Sequence, residues 1–596
     1  MNTYNQSWDL DSIFPNGSES KELKYYVQKT ERLMARLEEI VVDLQFPGYQ
    51  SGKGNLMEAV DVLQSVTKRI REIGAFVSCL AAQDVKDAKA KEWMAKRSQL
   101  GAQYGNILTK LDQKLIQVEE DTWHSILQQE MVAPIAFVLN ERRSRAKEKL
   151  PLEQESLIND LSVDGYHAWG QMYNNIVGKM MIDFQGRELS VGQASNKLGS
   201  SRREVRKEVA GKLKEAWAGQ SDLFTETLNH LAGFRLQTYK YRGWDNVLKE
   251  PLDFNRMSGK TLDAMWTAIT KHKVFYKTYL QRKADLLGLD KLNMYDTGAP
   301  IGGTEQTMSY DEGAEFIIEQ FQKFSPKMAD FAKMAFENRW IEAEDRSGKR
   351  PGGFCTSFPD SKQTRIFMTY SGTASNVATL AHELGHAYHQ HVMNDLPILN
   401  QGYAMNVAET ASTFAEMIVA DAAVRNAQTE AEKLSLLEDK VQRSVAFFMN
   451  IHARFLFETR FYEERKQGMV PTDRLNELMT DAQKEAYQEA LGEYDPYFWA
   501  SKLHFHITGV PFYNFPYTFG YLFSLGIYAK AVKEGKNFED KYTSLLQDTG
   551  KMRVEELALK HLGVDLEKEE FWEDALKLCI ADVEEFLNLT GAAASN

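Results

Sequence analysis

The sequence predicts a large, mainly α-helical fold with a small β-sheet, and three observations lead to this prediction. The chain has 596 residues, whereas a single hydrophobic core stops growing near ~250–300 residues, so more than one core is expected. Most of the chain carries apolar residues at helical spacing, and few short segments alternate as strands do. Finally, no fixed-period repeat accompanies the helical pattern, which argues against a solenoid.

The predicted elements follow from this periodicity. Helices are expected at residues 20–43, 56–82, 88–119 and 152–161. A hairpin is expected at residues 180–189, and two strands joined by a polar turn at 352–358 and 365–370. Glycines and serines between residues 185 and 200 interrupt the helices and predict a domain boundary. We therefore expect an N-terminal helical domain of residues 1–190 and a second domain of residues 191–596.

Composition and charge restrict the partners. With 71 basic and 84 acidic residues, the net charge of −13 opposes general binding to nucleic acid or anionic membranes. Three cysteines are too few for a disulfide framework and fit a reducing compartment. The uncharged stretch 503–529 could span a bilayer by length, but its two prolines, three glycines and four tyrosines indicate a buried aromatic segment. We expect a cytoplasmic protein without a signal peptide, a membrane partner or a nucleic-acid partner.

The strongest functional signal is the sequence HELGH at residues 382–386, an H-E-x-x-H motif. His382 and His386 lie one helical turn apart, so both imidazoles can bind one zinc ion. The helix has an apolar side opposite these histidines, as expected of a helix that packs with its back against a core. Glu383, next to the first histidine, is then the candidate general base.

A catalytic zinc site usually takes three protein ligands, and two residues are candidates for the third position. His389 lies on the histidine face of the same helix, but a third ligand from one straight helix strains tetrahedral geometry. Glu409 lies on a predicted second helix, and residues 392–404 form a turn long enough to bring the two helices side by side. We prefer Glu409. Glu416, on the same face as Glu409, is a candidate partner that orients a ligating imidazole, or else a plain surface carboxylate.

A later aromatic segment offers donors for the oxyanion that forms when a carbonyl is attacked. His504 and His506 precede three tyrosines, Tyr513, Tyr517 and Tyr521, which recur at intervals of four residues. Spacing of this kind predicts hydroxyls along one wall of a site, although an aromatic core explains any single tyrosine as well.

Taken in order, these elements resemble the zinc metallopeptidase family that includes oligoendopeptidase F and thimet oligopeptidase, and more closely its oligoendopeptidase F branch. The resemblance spans most of the chain. It begins at residues 8–14 (WDLDSIF), continues through 346–355 (RSGKRPGGFC), and then includes the histidine motif, residues 408–412 (AETAS) and residues 504–521. The histidine motif alone is shared by many families, whereas the ordered set is specific.

The resemblance implies a site and a fold. It implies one zinc ion per chain held by His382, His386 and Glu409, with Glu383 as the base. A histidine and tyrosines near the oxyanion correspond to His504, Tyr517 and Tyr521. The implied fold has two helical halves that enclose a channel, with residues 1–190 in its wall and residues 191–596 as the catalytic domain. A small sheet beside the zinc site holds the peptide on its edge strand.

Residues 365–370 fit that edge strand, which makes Phe367 and Met368 candidate substrate-binding residues. Gly372 fits a loop where backbone approaches backbone. The expected function is zinc-dependent endopeptidase cleavage of short peptides. A zinc carboxypeptidase is an alternative, and a non-catalytic peptide-binding protein with structural zinc is a weaker one, because structural sites are normally closed by four protein ligands.

Overall fold

The computed structural model describes residues 3–44, 55–301, 307–350 and 352–591, so Pro351 of the predicted 346–355 motif lies outside it. The structure is 73% helical with two small sheets, which confirms the predicted fold class. The part of the chain before the first hairpin forms α1 (Lys21–Asp43), α2 (Asn55–Gln83), α3 (Ala88–Ile116), α4 (Glu120–Leu127), α5 (Ala136–Lys147), α6 (Leu152–Ser162) and α7 (Ala168–Lys179). The four helices expected there are confirmed to within a few residues.

The helices that follow form two groups, one before and one after the three-stranded sheet. The first group is α8 (Val191–Asn196), α9 (Arg203–Gly219), α10 (Ser221–Arg242), α11 (Lys249–Phe254), α12 (Gly259–Leu286), α13 (Tyr310–Phe324) and α14 (Pro326–Glu337). The second is α15 (Ala374–Met393), α16 (Met405–Asn426), α17 (Glu430–Val445), α18 (Ile451–Arg465), α19 (Thr472–Ala486), α20 (Phe498–Ser501), α21 (Phe515–Glu534), α22 (Glu539–Asp548), α23 (Val554–Leu562) and α24 (Glu569–Leu589).

The strands are short. β1 (Met181–Phe184) and β2 (Arg187–Ser190) form the expected antiparallel hairpin. β3 (Ile341–Glu342), β4 (Phe354–Phe358) and β5 (Gln363–Phe367) form a sheet of order β3-β5-β4, with β5 parallel to β3 and antiparallel to β4. The expectation that residues 365–370 provide the edge strand was wrong. β5 is central because residues 341–342 pair with one of its sides and β4 pairs with the other. A segment of two residues is too short to be predicted as a strand from the sequence. The edge strand next to α15 is β4.

Two hydrophobic cores are present in the described part of the chain. The smaller is built from buried residues between Trp8 and Leu139 together with Phe358 and Phe367, so the sheet closes onto the N-terminal helices. The larger is built from Tyr4 and from residues between Tyr173 and Leu587. Two cores are expected for a chain this long. The domain boundary near residue 190 stays a prediction.

The larger core centres on three helices that approach one another closely, because glycines stand at the contacts. A Cβ atom at Gly385 of α15 would lie 2.6 Å from the Cα atom of Ser412 in α16. A Cβ atom at Gly520 of α21 would lie 2.9 Å from the carbonyl oxygen of Asn406 and 3.1 Å from Cβ of Glu409. Helix α16 is therefore held between α15 and α21 at the shortest separation that the backbones allow.

Over the described ranges, every helix is too short or too polar to cross a bilayer. This includes α21, which covers much of the uncharged stretch 503–529 and is buried inside the larger core, as the sequence predicts. Pro516, Tyr521 and Tyr528 of this helix are buried.

We predict that Gly385→Ala destabilises the fold, although alanine normally stabilises a helix by roughly 0.5–1 kcal/mol relative to glycine. The added methyl group would overlap the backbone of α16, and overpacking of this kind costs about 1–3 kcal/mol. Gly211→Ala is the matched control, since it lies exposed inside α9 with no atom within 4 Å of the new methyl group. The midpoint of thermal unfolding should fall for Gly385→Ala and stay or rise for Gly211→Ala. Equal midpoints would contradict the close contact.

Candidate active site

Helices α15 and α16 bring three potential metal ligands together. Nε2 of His382 lies 3.2 Å from Oε2 of Glu409, and Nε2 of His386 lies 3.6 Å from the same oxygen. One ligand atom from each residue lies within 4.8 Å of the other two. The oxygen of Glu409 also accepts a hydrogen bond from Oγ of Ser412, at 2.7 Å. Two imidazole nitrogens and one carboxylate oxygen are a donor set that suits zinc, so the residues present fit the ion that the motif predicts.

The second carboxylate of α16 supports this cluster. Oε2 of Glu416 accepts from Nδ1 of His382 at 3.1 Å, and the other oxygen of Glu416 pairs with the guanidinium of Arg443 in α17. Burial would lower the pKa of His382, but hydrogen bonds to Glu409 and Glu416 raise it to about 10. His386 has no such pair of partners, and burial lowers its pKa to about 4. The geometry presents Nε2 of His382 to the cluster and holds Nδ1 on Glu416.

Glu383 points away from hydrogen-bonding partners. Its side chain is 8% exposed, and Oε2 has no hydrogen-bond partner among the described residues. Burial raises the pKa of Glu383 to about 7. The carboxylate faces Gly353, where a Cβ atom would lie 3.7 Å from Oε1, so the start of edge strand β4 passes directly over it. A buried, unsatisfied carboxylate one residue from a ligand is the environment of a general base.

His389 lies elsewhere. It is fully buried, its Nε2 contacts Oγ1 of Thr549 at 2.9 Å and the carbonyl oxygen of Leu546 at 3.2 Å, and its ring stacks on Tyr403 with centroids 4.2 Å apart. Burial lowers its pKa to about 3. The structure therefore joins His389 to the core that packs behind α15 and does not bring it to the metal cluster.

Tyr517, Tyr513 and His504 form a connected wall. The rings of Tyr517 and Tyr513 lie 5.7 Å apart, and those of Tyr513 and His504 lie 5.5 Å apart. Burial, the neighbouring phenol Tyr513 and the charge of Glu409 raise the pKa of Tyr517, so its hydroxyl keeps its proton and remains a donor. Burial and the nearby cations Arg454 and Lys502 lower the pKa of His504 to about 4.

Two other candidates of this segment are packed away from that wall. Tyr521 stacks on Phe447 with centroids 4.4 Å apart, and its hydroxyl contacts Oγ of Ser444 at 3.1 Å. His506 is 1% exposed and stacks on Tyr173 with centroids 3.8 Å apart. The regular spacing of the tyrosines suggested one continuous face, but α21 begins only at Phe515, so Tyr513 lies before the helix. Tyr521 follows Tyr517 by one turn on the same side of α21, where its ring packs against Phe447 and Phe448.

The candidate substrate-binding residues are also buried. Phe367 and Met368 are 0% and 2% exposed, and the backbone N–H of Met368 donates to Glu342 within the sheet. Both residues therefore contact other parts of the protein and are not free to bind a substrate, because β5 is central in the sheet. Gly372 does allow a close backbone approach, with φ of +89°, but its carbonyl accepts from the N–H of Met308 at 2.8 Å.

A cavity of about 830 Å³ lies between α13, α15, α16 and α17, with Tyr521 of α21 also in its wall, and none of His382, His386, Glu409 and Glu383 lines it. Gly372, Ala378, Met417 and Arg443 line it, and Ala378 lies one turn before His382. Sequence reasoning missed Arg443, because a single arginine on a third helix carries no motif. It also missed Gly353 as the residue that covers Glu383, although the paired glycines at 352–353 mark a place where backbone comes close.

The family model "Peptidase family M3" matches residues 198–578, and the model "Oligopeptidase F" matches residues 114–181. The chain belongs to peptidase family M3. This family consists of zinc metallopeptidases, and the predicted resemblance and the predicted enzyme class, a metalloendopeptidase, are confirmed.

Relatives of this family match nearly the whole chain. An oligoendopeptidase F homolog of Lactococcus lactis subsp. lactis (strain IL1403) is 23% identical over 96% of this chain and 95% of the relative. Oligopeptidase PepF of Bacillus subtilis (strain 168) is 22% identical over 96% of this chain and 85% of the relative.

Solved structures have the same fold. One from Chlamydophila abortus has a TM-score of 0.82 at 18% identity, covering 98% of both chains. The oligoendopeptidase-F of Enterococcus faecium has a TM-score of 0.67 at 17% identity, covering 95% of this chain and 97% of the other.

Proposed function

We propose that this M3 peptidase hydrolyses internal bonds of short peptides at a site made of His382, His386 and Glu409 with Glu383 beside them. The observation that carries the proposal is the three-residue donor cluster next to a buried carboxylate whose Oε2 has no hydrogen-bond partner in the described part of the chain. A non-catalytic structural zinc site would be closed by a fourth ligand and would have no use for such a carboxylate.

One zinc ion per chain would be held by the two imidazoles and the Glu409 carboxylate. When bound, zinc supplies a Lewis acid that acidifies water and polarises a carbonyl group. Glu416 and Arg443 support this assignment, because a carboxylate on Nδ1 fixes the tautomer that leaves Nε2 of His382 free to bind a metal. Ser412 orients Glu409 in a similar way.

We assign the proton transfers of the reaction to Glu383. It would take a proton from the attacking water and return it to the leaving amine. Burial raises the pKa of this carboxyl group to about 7, which supports a group that exchanges protons near neutrality. Tyr517, Tyr513 and His504 are assigned as donors to the oxyanion, since their rings form one connected wall.

Restriction to short peptides is part of the proposal. An N-terminal core and a larger core flank the site, and an enclosed space between them would admit a short peptide more readily than a folded or long chain. The strand that would hold the peptide backbone is the edge strand β4, since it passes over Glu383 and has a free side in the described sheet.

Zinc affinity tests the ligand assignment. We expect Glu409→Gln to weaken zinc more than Glu416→Gln does, and for the latter we expect the 10–100-fold loss typical of a residue that supports a ligand. His389→Gln should keep the metal, because His389 is hydrogen-bonded to Thr549 in the core. Competition against a fluorescent chelator measures all three affinities. The reverse ranking of Glu409 and His389 would make His389 the third ligand.

A peptide blocked at both ends tests the reaction. Wild-type enzyme with zinc should cleave it internally, and Glu383→Gln should bind zinc normally yet lose about 10²–10⁴-fold in kcat. Turnover is followed by mass spectrometry of the products. Near-normal turnover of the zinc-loaded variant would assign the base to another residue. Cleavage that requires a free C-terminus would indicate a carboxypeptidase, and efficient digestion of an unfolded full-length protein would contradict the restriction to short peptides.

The tyrosine wall has an internal control. Tyr517→Phe and Tyr513→Phe remove a donor to the oxyanion, so kcat should fall about 10²–10³-fold, or roughly 2.7–4 kcal/mol, with little change in KM. Tyr521→Phe removes a hydroxyl that contacts Ser444 and Cys579 in the core, so we expect lower thermal stability and nearly unchanged kinetics. Steady-state kinetics and thermal unfolding of the three variants distinguish these roles. A large kcat loss for Tyr521→Phe alone would reverse the assignment.

A further inference from the structure

Helix α7 and the turn before it contact segment 500–508, which leads to the tyrosine wall. Tyr166 lies in a π-helical turn, Val163–His167, that continues into α7. Its hydroxyl donates to the carbonyl oxygen of Thr508 at 2.9 Å. Two turns further on, the hydroxyl of Tyr173 donates to the carbonyl oxygen of Ala500 at 2.7 Å, and its ring stacks on His506. The segment 500–508 is thus held at both ends.

Gly170 stands between these two tyrosines. A Cβ atom there would lie 2.9 Å from the carbonyl oxygen of His506, so the helix and the segment are in backbone contact. Tyr166, Gly170 and Tyr173 are spaced at i, i+4 and i+7, which places them on one helical face. We refer to these three residues as the clamp face.

A buried cation fixes the orientation of Tyr166. Nε and Nη2 of Arg235 donate to the hydroxyl oxygen of Tyr166 at 2.9 and 2.6 Å, and Nη2 also reaches the carbonyl oxygen of Ile507 at 3.5 Å. Because the phenol oxygen accepts from the guanidinium, its own proton is directed to Thr508. The contact between Tyr166 and Thr508 is therefore a directed hydrogen bond and not only apolar packing.

Two of the proposed oxyanion donors, His504 and Tyr513, lie outside α21. Segment 500–508 contains the first and precedes the second. His504 lies in its 3-10 turn, Leu503–His506, and Tyr513 follows Phe512. Phe512 has φ of +53°, a left-handed conformation that costs free energy for a residue with a side chain. A loop in this state holds its geometry only if its surroundings determine it, and the clamp face provides such a constraint on its N-terminal side.

We propose that the clamp face is a positioning surface for the reaction: docking of segment 500–508 on Tyr166, Gly170 and Tyr173 sets the placement of His504 and Tyr513. This inference rests on the proposed roles of those two residues. It also assigns His506, a sequence-predicted catalytic candidate, a positioning role through its stacking on Tyr173. A displacement of about 1 Å at a reacting group can cost 10²-fold in rate, so a small shift of the segment is measurable.

The test compares two glycines of the same helix. Gly170→Ala inserts a methyl group against the carbonyl of His506, whereas Gly178→Ala in α7 meets no atom within 4 Å. We expect Gly170→Ala to lower kcat about 10- to 100-fold with KM and zinc affinity close to wild type, and Gly178→Ala to behave as wild type. Equal kinetics for the two variants would overturn the inference.

A double-mutant cycle separates positioning from general destabilisation. If the clamp face acts through Tyr513, the kcat loss caused by Gly170→Ala should largely disappear in a Tyr513→Phe background. A loss that is unchanged in both the Tyr513→Phe and the His504→Gln backgrounds would overturn the inference even if kcat falls. If instead Tyr513→Phe and His504→Gln alone leave kcat intact, the proposed function is wrong about the donors, and that result is distinct from failure of the clamp.

Tyr166→Phe and Tyr173→Phe provide a second route that adds no volume. Each removes one hydrogen bond to segment 500–508 and keeps the ring, so each should reduce kcat in the same direction as Gly170→Ala, by a smaller factor. Thermal unfolding is measured in parallel. Lowered thermal stability with wild-type kcat in both variants would mean that these hydroxyls stabilise the fold without positioning the site.

Discussion

The close approach of α15, α16 and α21 is the constraint on which the rest of the site depends. Glu409 reaches the imidazoles of His382 and His386 because Gly385 lets α16 lie against α15, and Gly520 lets α21 press on α16 directly at Glu409. Any side chain at either glycine would push the helices apart by the thickness of a methyl group. Ligand atoms only a few ångströms apart tolerate little of that displacement. The packing of the core therefore determines the geometry of the site.

Charge compensation explains why the buried carboxylates lie in a chain. Arg443 pairs with Glu416, Glu416 accepts from Nδ1 of His382, and Nε2 of His382 faces Glu409, so a continuous line of paired polar groups runs from the cavity wall to the cluster. Breaking a buried pair leaves an uncompensated charge and costs far more than an exposed pair contributes. Glu383 is the exception, because burial raises its pKa and its Oε2 has no hydrogen-bond partner among the described residues. The proposed role as a base requires this, since a carboxyl group that gains and loses a proton in each cycle must not be bound permanently by a cation.

Local patterns predicted the parts of the site that lie on regular helices, and long-range contacts determined the rest. The spacing of the histidine motif and the face shared by Glu409 and Glu416 are properties of single helices, and they appear in the structure as expected. The sequence could not reveal that β5 is central, because that depends on pairing with residues 341–342. Nor could it show that Tyr513 lies before α21, which begins only after the left-handed Phe512, or that Tyr521 packs against Phe447 and Ser444 of neighbouring segments. The role of Arg443 could not be predicted from the sequence for the same reason, because it depends on a contact between two helices.

The two halves of the site consequently differ in how they are held. The proposed metal ligands belong to helices whose backbones are in contact, and side chains on such elements are placed accurately without further support. His504 and Tyr513 belong to a turn and a loop, where backbone has more freedom and the left-handed Phe512 adds strain. Accurate placement there requires an external surface, and the helix face that contacts segment 500–508 lies in another part of the chain, within the residues 114–181 that the oligopeptidase F model matches. The N-terminal part would then do more than restrict access, because the geometry of the oxyanion donors would depend on its docking.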